Sequence, residues 1–163
     1  MCPRIERAFP RRTDGVRRRC PGDDAPFVAP ETQDGPMLQN KQILLVEDDA
    51  LIAQPLAERL EDAGATVVGP AGTIEEAIAL IARVPGIDAA LLDVNLGGEM
   101  SYPVAYDLAR RGVPFVFLTA YDPSLVAARF RDVPVFAKPS DLTQVLEALG
   151  SLPLAADASR RSA

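Results

Sequence analysis

The chain has 163 residues, 48% of them hydrophobic and 25% charged, the balance of a soluble globular protein with room for one well-packed domain but not two. It has no histidine, and its two cysteines, Cys2 and Cys20, have no metal-ligand spacing, which excludes histidine general-base chemistry, Ser/His triads and histidine-ligated zinc. The net charge of −6 is uneven: residues 41–152 hold 8 basic and 16 acidic groups, so this part is a poor nucleic-acid binder.

Residues 1–40 are rich in Pro, Arg, Gly and Asp and show neither helical nor strand periodicity, which predicts a disordered extension with a solvated arginine group. Met37, just ahead of the first apolar run, is an alternative natural start. No apolar run approaches the roughly 18–20 residues of a membrane span, and no signal-peptide core follows the early arginines. The expectation is a cytoplasmic protein that contacts no membrane.

From Lys41 onward, strand and helix patterns alternate. Gln42–Val46 is an apolar strand, followed by a helix capped by Asp49, with Leu51, Ile52, Leu56, Leu60 and Ala63 inward and Gly64 as its stop. Pro55 inside that helix predicts a kink or a late start. Thr66–Val68 is a short strand. Thr73 and Glu76 form a capping box for a helix Ile74–Arg83, with Ile74, Ala77, Ile78 and Ile81 at helical spacing.

Asp88–Leu92 is the third strand, and Asp93 opens a glycine-bearing loop, Val94-Asn95-Leu96-Gly97-Gly98. Ser101 and Pro103 start a helix closed by Gly112. Val113–Leu118 is a strand apolar throughout, as burial on both faces requires. A short helix runs from Asp122-Pro123 to Phe130, and Val133–Ala137 is the fifth strand. Ser140 caps a last helix with Leu142, Val145, Leu146 and Leu149 inward; from Pro153 the tail is polar and frayed. The predicted domains are thus the extension 1–40, a folded unit 41–150 and a flexible tail 151–163.

Five strands alternating with five helices predict an α/β fold: a parallel, doubly wound, flavodoxin-like sheet in the order 2-1-3-4-5, with helices on both faces. Strands 1 and 3 are then neighbours, and Glu47, Asp48 and Asp93 gather at the switch-point crevice above them. Like charges packed there are costly unless a cation joins them, which points to a magnesium-dependent acidic site. Thr119 follows the apolar run of strand 4, and Lys138 follows that of strand 5.

This set resembles the receiver domain of two-component response regulators. The matching strings are Ile43-Leu44-Leu45-Val46-Glu47-Asp48-Asp49, Leu91-Leu92-Asp93-Val94-Asn95-Leu96, Phe117-Leu118-Thr119-Ala120-Tyr121 and Phe136-Ala137-Lys138-Pro139. The resemblance runs from about Lys41 to Gly150. It implies that Asp93 accepts a phosphoryl group from a phosphohistidine on a partner kinase or phosphotransfer protein. It implies Mg²⁺ held by Asp48, Asp93 and the Asn95 backbone carbonyl, with Glu47 acting through water. Lys138 then pairs with Asp93 and with the phosphoryl group, and Thr119 swings its hydroxyl onto a phosphoryl oxygen. A lysine–proline cis peptide is usual in the family.

Val135 stands where many receivers carry an aromatic switch residue, while Pro114-Phe115-Val116-Phe117-Leu118-Thr119-Ala120-Tyr121 is similar to the FAT GUY group of stand-alone receivers, with Leu118 in place of alanine. Output is therefore expected through Thr119, Ala120, Tyr121 and the short helix that follows, toward a downstream protein. A DNA-binding regulator is disfavoured, since no helix-turn-helix pattern follows Gly150. The rival readings are a Mg²⁺-dependent haloacid-dehalogenase-like phosphatase, which would need an acid where Asn95 stands, and a flavin-binding relative, which three acids after strand 1 would repel. A phosphate-independent pseudo-receiver adaptor is the third. The expectation is a signalling domain that loses its phosphoryl group slowly, not an enzyme.

Overall fold

The computed structural model of the protein describes residues 37–153; the reading of residues 1–36 as an extension, and of the tail beyond Pro153, lies outside them. In chain order the elements are β1 (Gln42–Val46), α1 (Ala50–Asp62), β2 (Thr66–Ala71), α2 (Ile74–Arg83), β3 (Ala89–Asp93), β4 (Asn95–Leu96) and β5 (Glu99–Met100). They continue with α3 (Tyr102–Arg110), β6 (Phe115–Thr119), α4 (Pro123–Ala127), β7 (Val135–Ala137) and α5 (Leu142–Ser151). The main sheet is parallel, in the order β2-β1-β3-β6-β7, which is the expected order for the five long strands. β4 and β5 form a separate antiparallel hairpin.

Alternation along each strand divides the core into two layers. Leu44, Val46, Ala90, Leu92 and Phe117 face α2, α3 and α4, where Ala77, Ile81, Val104, Leu108 and Val126 meet them. Ile43, Leu45, Ala89, Leu91, Val116 and Leu118 face α1 and α5, against Ala53, Leu56, Leu60, Val145 and Leu149. Central strands buried on both sides have no polar face, which is why β1, β3 and β6 read as unbroken apolar runs.

The structure departs from the sequence reading in places with identifiable causes. Leu38, assigned to the polar extension, is fully buried among the α1–α5 side of the core, and its amide donates to the Ala63 carbonyl at 2.9 Å. α1 starts directly on its Asp49 cap and runs through Pro55, so the late start does not occur. Leu51 is 86% exposed, not inward, because Ala53, Leu56 and Leu60 define the buried stripe.

β2 continues to Ala71, three residues past the expected end at Val68, through the cis bond of Gly69-Pro70. Gly69 has φ +109°, and a Cβ there would lie 2.7 Å from the Leu45 carbonyl oxygen. β6 and β7 begin two residues later than expected. Pro114 and Pro134 cannot donate to a ladder, although their carbonyls still accept from Ala90 and Phe117. α5 is capped by Asp141, whose carboxylate accepts from the Thr143 amide, while the Ser140 hydroxyl turns to the Ala137 carbonyl. Among the described residues, no helix is long and apolar enough to cross a membrane.

Candidate functional site

The parallel register carries the site residues to one edge. Val46 pairs with Leu92, so Glu47 and Asp93 are the next residues out of β1 and at the end of β3. Asp93 pairs with Leu118, which places Thr119 one step further along β6, and Thr119 pairs with Ala137, which precedes Lys138. Four neighbouring strands thus deliver acid, acid, hydroxyl and ammonium at their C-terminal ends, above the switch point between β1 and β3.

Carboxylate oxygens of Glu47, Asp48 and Asp93 all lie within 4.8 Å of one another. Lys138 Nζ donates to Asp93 Oδ2 at 2.7 Å and to Glu47 Oε2 at 2.5 Å. Glu47 and Asp93 are only 4% and 9% exposed. Asp48 is exposed and makes no bond to the lysine; its Oδ2 accepts from the Gly97 amide at 2.9 Å. Lys138 joins Pro139 through a cis peptide bond.

The balance of charge shows what this pocket wants. Burial raises the Glu47 carboxyl above its usual range; the Lys138 hydrogen bond opposes the rise and the Asp93 charge adds to it. For Lys138, burial would favour loss of the proton, yet hydrogen bonds and charge from Asp93 and Glu47 outweigh it and raise its pKa. One ammonium faces three carboxylates, an excess of two negative charges in a partly buried crevice. A hard divalent cation with a preference for oxygen fits that donor set, with solvent-exposed Asp48 leaving room for its waters.

Around this cluster, Asp93 Oδ1 accepts from the Asn95 amide at 3.1 Å. The Asn95 side chain spans the loop: its Nδ2 donates to Tyr121 Oη at 2.9 Å, and its Oδ1 accepts from the Gly98 amide at 2.7 Å. Thr119 is fully buried, and its Oγ1 accepts from the Tyr121 amide at 2.9 Å. Tyr121 therefore touches both Thr119 and Asn95, while Ala120 beside it is exposed. Asp49 is occupied as the α1 cap through Leu51, as the sequence indicated.

Two contributors were missed by sequence reasoning. One is the Gly97 amide, presented by the β4–β5 hairpin, whose turn glycines have φ of +61° and +100°. The Gly97-Gly98 pair between two-residue strands was its signal. The other is Ser101, read only as a helix start, whose hydroxyl bonds the Asp93 carbonyl; nothing in the sequence marks that.

A family model for the response regulator receiver domain matches residues 43–149. The chain belongs to the response regulator receiver domain family. It is a receiver domain of two-component signalling, with the flavodoxin-like fold of that family. Among curated proteins it is 32% identical over 122 residues to the transcriptional regulatory protein PdtaR of Mycobacterium tuberculosis, an alignment covering 72% of this chain and 59% of PdtaR. The match thus spans less than two thirds of that relative's own length. Among solved structures the chain is similar to the BeF3-activated conformation of SdrG from Pseudomonas melonis Fr1, with 48% identity and a TM-score of 0.58, covering 68% of this chain and 97% of SdrG. The non-phosphorylated receiver domain of HemR from Leptospira biflexa is 30% identical with a TM-score of 0.59, covering 69% and 96% of the two chains.

Proposed function

We propose that this receiver accepts a phosphoryl group on Asp93 from a phosphohistidine of a kinase or phosphotransfer partner, and that the adduct changes its contacts with a downstream protein. The carrying observation is the convergence of three carboxylates and one lysine at a single strand edge. In the transfer, an Asp93 carboxylate oxygen forms a bond to phosphorus as the phosphorus–nitrogen bond breaks and the imidazole departs. Phosphoryl transfer depends on charge neutralisation and alignment more than on proton shuttling, which suits a chain without histidine.

Asp48, Asp93 and the Asn95 backbone carbonyl would hold Mg²⁺, with Glu47 acting through water; the ion, when bound, neutralises charge on the phosphoryl oxygens. Lys138 moves from carboxylate to phosphoryl oxygen. Thr119 exchanges its bond from the Tyr121 amide for one to the phosphoryl group, so Thr119, Ala120 and Tyr121 carry the change toward α4. An open groove of about 490 Å³ lined by Ile52, Pro55, Leu118, Pro139 and Leu142 borders Lys138 and gives the donor protein an apolar approach. The adduct is lost slowly to water; the domain acts as a signal carrier in the cytoplasm, with a protein rather than a nucleic acid or membrane as its target.

Incubation with acetyl phosphate and Mg²⁺ tests this. The expected product is one adduct of about 80 Da, stable in acid and labile in base, with no turnover of general phosphatase substrates. Steady phosphatase turnover would favour the dehalogenase-like reading, and the absence of any adduct would favour a phosphate-independent adaptor.

A further inference from the structure

A serine ahead of a helix ordinarily caps it, its side-chain oxygen accepting a hydrogen bond from an amide of the first turn. Asp49, Thr73, Asp122 and Asp141 all do this for their helices. Ser101 stands at the same position before α3 and makes no such bond. Its hydroxyl instead donates to the main-chain carbonyl of Asp93 at 2.5 Å, and the residue is fully buried. Its amide donates to the Val94 carbonyl at 2.8 Å, so both hydrogen-bond donors of Ser101 are spent on the peptides that leave Asp93, while its carbonyl accepts from Val104 and Ala105 in α3.

The hairpin between these residues has a second anchor. Its tip donates from the Gly97 amide to Asp48 Oδ2, and its first residue donates from the Asn95 amide to Asp93 Oδ1. Strand pairing between β1 and β3 ends at Val46 and Leu92, one residue short of the acids. What joins Asp48 to Asp93 beyond that point is this loop, closed at its base by Ser101. A local capping rule broken beside a reactive side chain, with the freed hydroxyl turned toward that side chain's own backbone, marks a functional compromise.

We infer that Ser101 is a positioning residue for phosphoryl acceptance, an inference that rests on the role proposed for Asp93. Its hydroxyl fixes the peptide between Asp93 and Val94. That sets the carboxylate with Oδ1 held by the Asn95 amide and Oδ2 turned to Lys138. By closing the hairpin it also keeps the Gly97 amide on Asp48. Reaction geometry of this kind is unforgiving, since a displacement of about 1 Å can slow a reaction by roughly a hundredfold.

The test compares the full-length wild type with Ser101→Ala, Ser101→Thr and Ser101→Val, threonine and valine being matched in shape and differing in the hydroxyl. Acetyl phosphate supplies the phosphoryl group with Mg²⁺ present: the Asp93 oxygen–phosphorus bond forms and acetate leaves. The maximal rate, followed by intact mass, is expected to fall about tenfold or more in the alanine and valine variants and to stay within about threefold of wild type in the threonine variant. The half-saturating acetyl phosphate concentration is expected to stay unchanged. Amide exchange at Asn95 and Gly97 is expected to quicken in Ser101→Ala, while the amides of β1 and β3 stay protected.

Equal rates for the threonine and valine variants, or a wild-type rate for Ser101→Ala, would overturn the inference. Should the alanine and valine chains fail to fold, exchange in the wild type decides: a Gly97 amide slowed by about tenfold or more supports the clamp, and one as fast as a free peptide overturns it. A wild-type chain that takes no phosphoryl group sinks the underlying reading. A wild-type chain that does, with Ser101→Val unaffected, sinks this inference alone.

Discussion

Lys138 and Asp93 are 45 positions apart in sequence and 2.7 Å apart in space, and the same ammonium reaches Glu47 at 2.5 Å. One lysine therefore holds two acids that would otherwise repel each other. Because the two carboxylates raise its pKa, its contribution to stability is complete below the ordinary lysine value of 10.5 and is lost only as pH rises through the raised value. At neutral pH the whole of it is present. Lys138→Ala is expected to lower the melting temperature without Mg²⁺, to recover most of that loss in saturating Mg²⁺, and to slow phosphorylation by about a hundredfold or more. Thermal scans with and without the ion, beside an acetyl phosphate assay, check all three.

The Glu47 carboxyl gives a pH signature. Burial lifts its pKa above 4.5, so the folded chain holds this proton more tightly than the unfolded chain does. Its stabilising effect is thus greatest at low pH and is lost as pH rises through the raised value. A cation in the pocket favours the ionised form, so the gain in melting temperature from Mg²⁺ should be larger at about pH 7 than at about pH 5. Glu47→Gln should flatten that difference. A gain independent of pH in the wild type would contradict the assignment of Glu47 to the site.

Asp49 separates a structural acid from those proposed to act in the site. Its carboxylate accepts from the Leu51 amide at 2.9 Å and starts α1. Asp49→Ala should destabilise the fold by about 0.5–2 kcal/mol in urea denaturation. Its phosphorylation rate and Mg²⁺ affinity should stay near wild type, whereas Asp48→Ala should lose both at little cost in stability.

Thr119 should divide acceptance from response. Thr119→Ala is expected to take the phosphoryl group on Asp93 while the amide resonances of residues 120–122 and 124–126 shift far less on phosphorylation than in wild type. Thr119→Ser, which keeps the hydroxyl that now accepts from Tyr121, should restore the shifts. Equal shifts in the alanine variant would remove Thr119 from the output route.

Gly69 tests the sheet edge beside the site. With φ +109° and the Leu45 oxygen 2.7 Å from where a Cβ would stand, alanine there must strain the backbone and push β2 from β1. Gly69→Ala should cost about 1–3 kcal/mol, read from the urea midpoint.

The sheet order and the site were legible because both rest on long-range regularities. Short unbroken apolar runs bounded by turn residues and alternating with helical patterns read as strands buried on both faces, and polar residues where those runs stop mark the open edge of a parallel sheet. Elements that depend on local competition were harder. Leu51 fits the amphipathic pattern, yet packing buries Ala53, Leu56 and Leu60 and leaves Leu51 exposed. The second strand, expected to end at Val68, runs on through Gly69-Pro70. The sequence points to Ser140 as the cap of the last helix, and the adjacent Asp141 carboxylate takes it. The bond from Ser101 to Asp93 joins residues 8 positions apart across a hairpin that itself had only a weak signal, so no sequence pattern revealed it.

Reduction of the acetyl phosphate-treated protein with borohydride, followed by peptide mapping, tests the central claim most directly, because an aspartyl phosphate is converted to homoserine at the position that carried it. Homoserine is predicted at residue 93 alone, and only when Mg²⁺ was present. Homoserine at residue 48, or none at all under saturating conditions, would contradict the account.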